Sequence, residues 1–197
     1  MDSNVSGVKL EKIIGRRISL KKFSSAHVEC QGYHNWLRDP EVIRTLNLPE
    51  YIRAPVSADS IRQYCSQLMS SSNNFFFALY LNEQSEFIGT AKIGSVNKYS
   101  GTADLGIMIG RKDLWGNGYA TEAIELLCGA AFKQLKIRRV TAGSMSNNPS
   151  MIRVFEKLGF KIEGIMRQHD RTEDGYVDHV HLGCFECEFD EMVGKQR

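Results

Sequence analysis

Ile18 and Leu20 alternate with polar neighbours, which predicts a first strand ending near Phe23. Polar and helix-forming residues follow from Ala26 to Leu37, and this helix breaks before Pro40. A second helix begins at Ser57, a good N-cap, with Ile61, Tyr64, Cys65 and Leu68 at helical spacing. The period then shortens. Phe75–Leu81, Phe87–Val96 and Thr102–Gly110 read as three strands joined by short polar connections, an antiparallel meander. Beyond them the chain alternates. A glycine-rich segment at Gly116–Gly118 opens a helix with Ile124, Leu127, Ala131 and Leu135 on its apolar side, and Arg139–Met145 is a strand. Asn148-Pro149 starts another helix, which Gly159 ends. Phe160–Gln168 and Tyr176–Phe189 make a hairpin around Glu173-Asp174-Gly175. The order implies an α+β fold on one mixed, mostly antiparallel, seven-stranded sheet flanked by about four helices, not a doubly wound one.

Composition narrows the class. The 197 residues are 42% hydrophobic and 24% charged, which suits one globular domain that needs no disulfide or metal staple. Residues 1–15 read as a loose N-terminal segment, 16–189 as the domain and 190–197 as a tail. A formal charge of +2 with no sustained basic run gives no nucleic-acid stripe. The run Phe75–Leu81 is too short to span a bilayer, and the first residues lack the pattern of a signal peptide. Five scattered cysteines fit reduced thiols and a cytoplasmic protein.

The chemistry concentrates in one stretch. The strand ending at Ile109-Gly110 leads through Trp115-Gly116-Asn117-Gly118 into the helix at Tyr119-Ala120-Thr121-Glu122. Glycines let successive N–H groups point at one spot, and a helix start adds unpaired donors and a positive dipole end, a cradle for phosphate. The glycines alone equally admit a tight strand–helix turn with no ligand. No Gly-Lys-Ser or Gly-Lys-Thr follows, so this is not a Walker loop, and the third glycine of a dinucleotide fingerprint is missing.

Trp115-Gly116-Asn117-Gly118-Tyr119-Ala120 resembles the pyrophosphate loop of the GNAT acetyltransferases, with Trp115 replacing the usual Gln or Arg. Asn148-Pro149-Ser150-Met151 followed by Arg153 to Phe160 is similar to a second hallmark of the branch containing ribosomal-protein, spermidine and amino-sugar N-acetyltransferases. The resemblance, spanning about Arg16 to Phe189, implies a GNAT-like fold whose fourth and fifth strands splay apart around the pantetheine of acetyl-CoA. It implies that the backbone of Ile107, Met108 and Ile109 holds the pantetheine. Trp115, Gly116, Asn117, Gly118, Tyr119, Ala120 and Thr121 would hold the pyrophosphate, with Asn148 and Phe155 near the thioester. Acetyl-CoA is then the acyl donor, and no metal is expected.

Asp104 lies where relatives carry a carboxylate able to take the amine's proton through water; the alternative is a cross-strand partner for Lys92. Tyr119 is the second catalytic candidate, with His169 and Tyr176 as weaker substitutes. Phe155 stands where many members place a tyrosine as acid for the departing thiolate, and phenylalanine cannot donate a proton. Glu122 and Glu125 read as complements to the helix dipole. Cys184 and Cys187, read as one strand, project to opposite faces, and His179 and His181 share a face but read as strand histidines rather than a zinc site.

The expected activity is transfer of an acetyl group to a primary amine of a small molecule. Arg38, Arg44, Arg53 and Arg62 tilt the acceptor towards an anionic one such as a nucleotide-activated amino sugar. The alternatives are acetylation of a protein N-terminus, such as that of a ribosomal protein, and a non-catalytic acyl-CoA sensor. The expected partner is an amine acceptor, with no nucleic acid and no membrane, and a homodimer is left open.

Overall fold

A computed structural model describes residues 10–44, 46 and 56–196. The elements run β1 (Lys12–Ile14), β2 (Ile18–Lys22), α1 (Ser25–Val28), α2 (Gln31–Arg38), α3 (Pro40–Ile43), α4 (Ala58–Ser70), β3 (Phe75–Leu81), β4 (Glu86–Asn97) and β5 (Thr102–Ile109). They continue with α5 (Tyr119–Gly129), β6 (Arg139–Met145), α6 (Pro149–Lys157), β7 (Lys161–Thr172), β8 (Gly175–Phe185) and α7 (Glu186–Gln196). The strands form one mixed sheet in the order β1-β2-β3-β4-β5-β6-β8-β7, antiparallel except where β5 meets β6.

The continuous apolar run of β3 is explained by two cores, one on each face of the sheet. Side chains alternate across a strand, so Phe77, Leu79 and Leu81 pack into one core, and Phe76 and Ala78 into the other. The first core is closed by α5 and α6 through Ile124, Leu127, Phe155 and Leu158, and the second by α2 and α4 through Tyr33, Leu37, Ile61 and Cys65. Ile124, Leu127, Ala131 and Leu135 are all buried, as their spacing predicted.

The structure departs from the sequence reading in three places. The described residues form eight strands rather than seven, because Lys12–Ile14 folds back on β2 with Ile13 opposite Leu20, so this part of the first 15 residues is not loose. The expected helix over Ala26–Leu37 is two helices, since the His34 ring nitrogen Nε2 takes the Val28 carbonyl (2.7 Å) and Cys30 is extended. Strand β8 stops at Phe185, and Glu186–Gln196 is a helix rather than a continued strand and tail. Its N-terminal turn is held by Glu188, which accepts from the Phe185 N–H (3.0 Å), and Phe189 is buried in the first core. Cys184 is therefore on a strand and buried, whereas Cys187 is on a helix and exposed; both are free thiols.

Strands β5 and β6 are parallel from Thr102 opposite Arg139 to Leu105 opposite Ala142, and their pairing ends there. Beyond that point they part, the expected splay. No helix among the described residues is long and apolar enough to cross a membrane.

Candidate active site

A cavity of about 370 Å³ opens where β5 and β6 part. Leu105, Gly106, Ile107 and Met108 line one side and Gly143 and Ser144 the other. Asn148, Met151 and Phe155 of α6 close one end, while Tyr33, Leu37, Leu46 and Tyr64 reach it from the helical segment before β3. Its size suits a ligand arm enclosed by protein.

The backbone of β5 is arranged to take such an arm. Gly110 N–H donates to the Ile88 carbonyl (2.9 Å), and Thr90 and Lys92 lie opposite Met108 and Gly106. Opposite residues of an antiparallel pair alternate between bonded and unbonded, so the peptide groups of Ile107 and Ile109 turn away from β4 towards the gap. Met108 does not share this orientation. Its backbone faces Thr90, and its side chain lines the cavity, which corrects the expectation that its backbone meets the pantetheine. The Ile109 carbonyl accepts from Trp115 Nε1–H (2.8 Å), so Trp115 fixes the end of β5.

The glycine loop has the conformation its composition predicted. Gly116 and Gly118 have φ of +78° and +80°, a region that favours glycine, and Gly118 is the N-cap of α5. The first helical bond is from Glu122 N–H to the Gly118 carbonyl (3.2 Å), which leaves the N–H groups of Tyr119, Ala120 and Thr121 ahead of it at the positive end of the helix. Asn117 lies between the glycines, its carbonyl accepting from Arg17 Nη1 (2.9 Å).

Arg17 was not anticipated. Glu122 accepts from the Arg17 and Ile18 backbone N–H groups (2.7 and 3.3 Å) and from Arg17 Nε (2.8 Å), clamping the β1–β2 turn to the loop. Burial works to raise the Glu122 pKa, but these bonds outweigh it and hold the carboxyl below its ordinary value. Glu122 is thus a structural clamp as well as a dipole complement. No local spacing could reveal a pair 105 residues apart.

Tyr119 does not line the cavity, so it is not brought to the reacting end. As the first residue of α5, it holds its ring under the Arg17 guanidinium, 4.6 Å away. Asp104 does line it. Thr141 Oγ1–H donates to Asp104 Oδ2 (3.1 Å). Burial pushes the Asp104 carboxyl above its ordinary value, against the pull of Lys92, Thr141, His181 and His179. Lys92 thus acts on Asp104 electrostatically, and both line the cavity. Asn148 caps α6, its Oδ1 accepting from Met151 N–H (3.2 Å), and also lines the cavity. Phe155 is buried there with its ring 5.0 Å from that of Phe160. Among the histidines, His179 and His181 face the cavity; His169 and Tyr176 are exposed and do not line it.

Of the arginines expected near the acceptor, Arg38, Arg44 and Arg62 do not line the cavity. Arg62 is paired with Glu29 (2.9 Å) and Asp59 (3.0 Å), Arg38 Nε donates to the Val56 carbonyl (3.3 Å), and Arg53 lies outside the described residues. Among the described residues, the lysine that lines the cavity is Lys92.

The family model for the acetyltransferase (GNAT) domain matches residues 17–161. The chain belongs to the GNAT family. It is 28% identical over 171 residues to the uncharacterized N-acetyltransferase p20 of Bacillus licheniformis, covering 86% of this chain and 93% of that one. The fold matches the spermidine N-acetyltransferase of Vibrio cholerae, solved with CoA and spermine, with a TM-score of 0.77 at 17% identity over 88% of this chain and 98% of that one. It also matches RimL, a ribosomal L7/L12 α-N-protein acetyltransferase solved with coenzyme A, with a TM-score of 0.77 at 17% identity over 89% and 98%. As a GNAT protein the chain is an N-acetyltransferase, and the parted strands and glycine loop are its two conspicuous features.

Proposed function

We propose that the protein transfers the acetyl group of acetyl-CoA to a primary amine of a small molecule by direct attack. The cavity at the parting of β5 and β6 carries this reading, since it joins the outward-turned amide of Ile107 to a carboxylate, Asp104, and to the head of α6. The pantetheine would bond to β5 as an added strand, with the pyrophosphate on Gly116, Gly118, Tyr119, Ala120 and Thr121. The thioester would then lie near Asn148 and Phe155. Phe155 offers no proton, but a thiol of pKa about 8.5 leaves readily as thiolate near neutral pH.

Asp104 supplies negative potential for an incoming ammonium group, and Lys92 beside it supports an acceptor that also carries an anionic group, as a nucleotide-activated amino sugar does. Free-thiol release measured with acetyl-CoA and a panel of amino sugars, sugar nucleotides, polyamines and peptide N-termini tests this. Turnover on a small amine is expected. Turnover confined to peptides would replace the acceptor class, and CoA binding without turnover on any amine would make the protein an acyl-CoA sensor.

A further inference from the structure

His179 lines the cavity and forms a buried pair with Asp170, its Nδ1 2.5 Å from Asp170 Oδ2. The residues are 6% and 4% exposed, so this is not a surface ion pair. A bulge brings them together. Met166 lies opposite His179 and Asp170 opposite Val177, so three residues of β7 face one of β8. Gln168 within it has φ +50°, unusual for a side-chain-bearing residue, and its N–H is held by Asp178 Oδ1 (2.8 Å). Val177 and His179 are two apart and share a face, so the bulge delivers Asp170 to the face that carries the imidazole.

The other ring nitrogen meets a second provision. A Cβ on Gly143 would lie 2.3 Å from His179 Nε2, so only glycine leaves room there, and both residues line the cavity beside Ser144. An ionised Asp170 can only accept, which makes Nδ1 the donor and leaves Nε2 with the lone pair. The groups around this imidazole are Asp170 and His169 on β7, His181 on β8 and Asp104 on β5, whose own neighbour is Lys92 on β4; β6 presents Gly143 and Ser144, which do not titrate.

We infer that His179, oriented by Asp170, takes the proton from the acceptor amine, and that Asp104 serves to attract the ammonium. This rests on the N-acetyltransferase reading above. His179 Nε2 accepts one ammonium proton and releases it to water at the mouth. The amine lone pair then forms the C–N bond with the thioester carbon, and the C–S bond breaks with its electron pair going to sulfur. The second nitrogen proton passes to the thiolate, giving one amide and one CoA thiol. A histidine titrates nearer neutral pH than a carboxylate, so it serves better as the base at pH 7.

The test follows kcat and KM against pH, with the best amine of the panel and the full chain. His179→Gln should lower kcat on the order of 10²–10⁴-fold at pH 7 with CoA affinity little changed, and the deficit should shrink as pH rises and the amine deprotonates unaided. The acidic limb of kcat/KM should be lost in that variant, and Asp170→Asn should lower kcat at pH 7 with KM little changed, because an amide N–H facing Nδ1 puts the ring proton on Nε2. Asp104→Asn should raise KM for the amine and keep that limb. The double variant H179Q/D170N leaves no unpaired buried charge and is the check if either single variant folds poorly. Wild-type turnover with an unmoved limb and near-native kcat in the folded variants would overturn the role of His179. A wild type that binds CoA and acetylates no amine would instead remove the reading on which it rests.

Discussion

At the scale of single residues, glycine carries more information here than any charged side chain. Gly118 holds φ +80° with Arg17 Nη2 3.4 Å from where a Cβ would be. Gly118→Val should weaken CoA binding at least tenfold, by strain at the N-cap and by intrusion on the phosphates, while the variant still folds. Isothermal titration reads this directly, and wild-type affinity would mean that the loop holds no cofactor. Glu122 makes a different kind of prediction. Its folded pKa lies below the ordinary 4.5, so its stabilisation is complete above pH 4.5 and is lost as pH falls through the lower folded value. Glu122→Gln should cost on the order of 1–2 kcal/mol at pH 7, as expected for hydrogen bonds to a charged group, and the difference from wild type should vanish in acid. Denaturant unfolding at pH 7 and pH 3 checks it; an equal deficit at both would deny the charge its part. Both glycines of the loop and the cap at Asn148 were legible in the sequence because they are local signals. Arg17, Asp170 and Gly143 were not, since each acts through a residue distant in the chain or across a bulge.

At the scale of elements, α4, β6 and α6 were located by an apolar face or a cap of their own, and the meander by apolar runs separated by short polar connections. It failed where tertiary contacts decide. Lys12–Ile14 has little pattern and becomes a strand only because β2 offers an edge. The CxxC segment looked like strand because nothing in Glu186-Cys187-Glu188 announces a helix, yet Glu188 caps the turn and Phe189 docks it. The β7 bulge was invisible for the same reason, and it moves Asp170 from an unremarkable hairpin position to His179, which lines the cavity. The junction of β5 with the loop offers an element-level prediction. Trp115 is 42% exposed, so its value is less in burial than in the bond from Nε1–H to the Ile109 carbonyl. Trp115→Phe should leave the melting temperature within about 4 °C, in line with losing one exposed hydrogen bond of about 1 kcal/mol or less, and should raise the CoA dissociation constant severalfold. A variant with unchanged affinity would show that β5 needs no tether to meet the cofactor.

At the scale of the whole molecule, the sheet is closed on both faces by helices but held together at its centre along only four residues of each parallel strand, Thr102–Leu105 and Arg139–Ala142. Beyond them the peptide groups of Ile107 and Ile109 turn towards the gap rather than a neighbouring strand, and Ile107 lines the cavity. A ligand that supplies the missing hydrogen bonds would join the half of the sheet carrying β1–β5 to the half carrying β6–β8, besides occupying the loop at the head of α5. Such a ligand binds the folded chain alone and must stabilise it by mass action. At a concentration 100 times its dissociation constant, CoA should add about 2.7 kcal/mol. For a chain of this length that corresponds to a rise in melting temperature of roughly 5–10 °C. The rise should grow with the logarithm of CoA concentration, and it should largely disappear in Gly118→Val measured at the same concentration. Hydrogen exchange should locate the effect, slowing at Ile107 and Ile109 and at the first turn of α5 more than in β2 or β3, whose ladders are complete without ligand. A melting temperature that rises while exchange at Ile107 and Ile109 is unaltered would mean that CoA binds by its phosphates alone, and that the gap between β5 and β6 serves something other than the pantetheine.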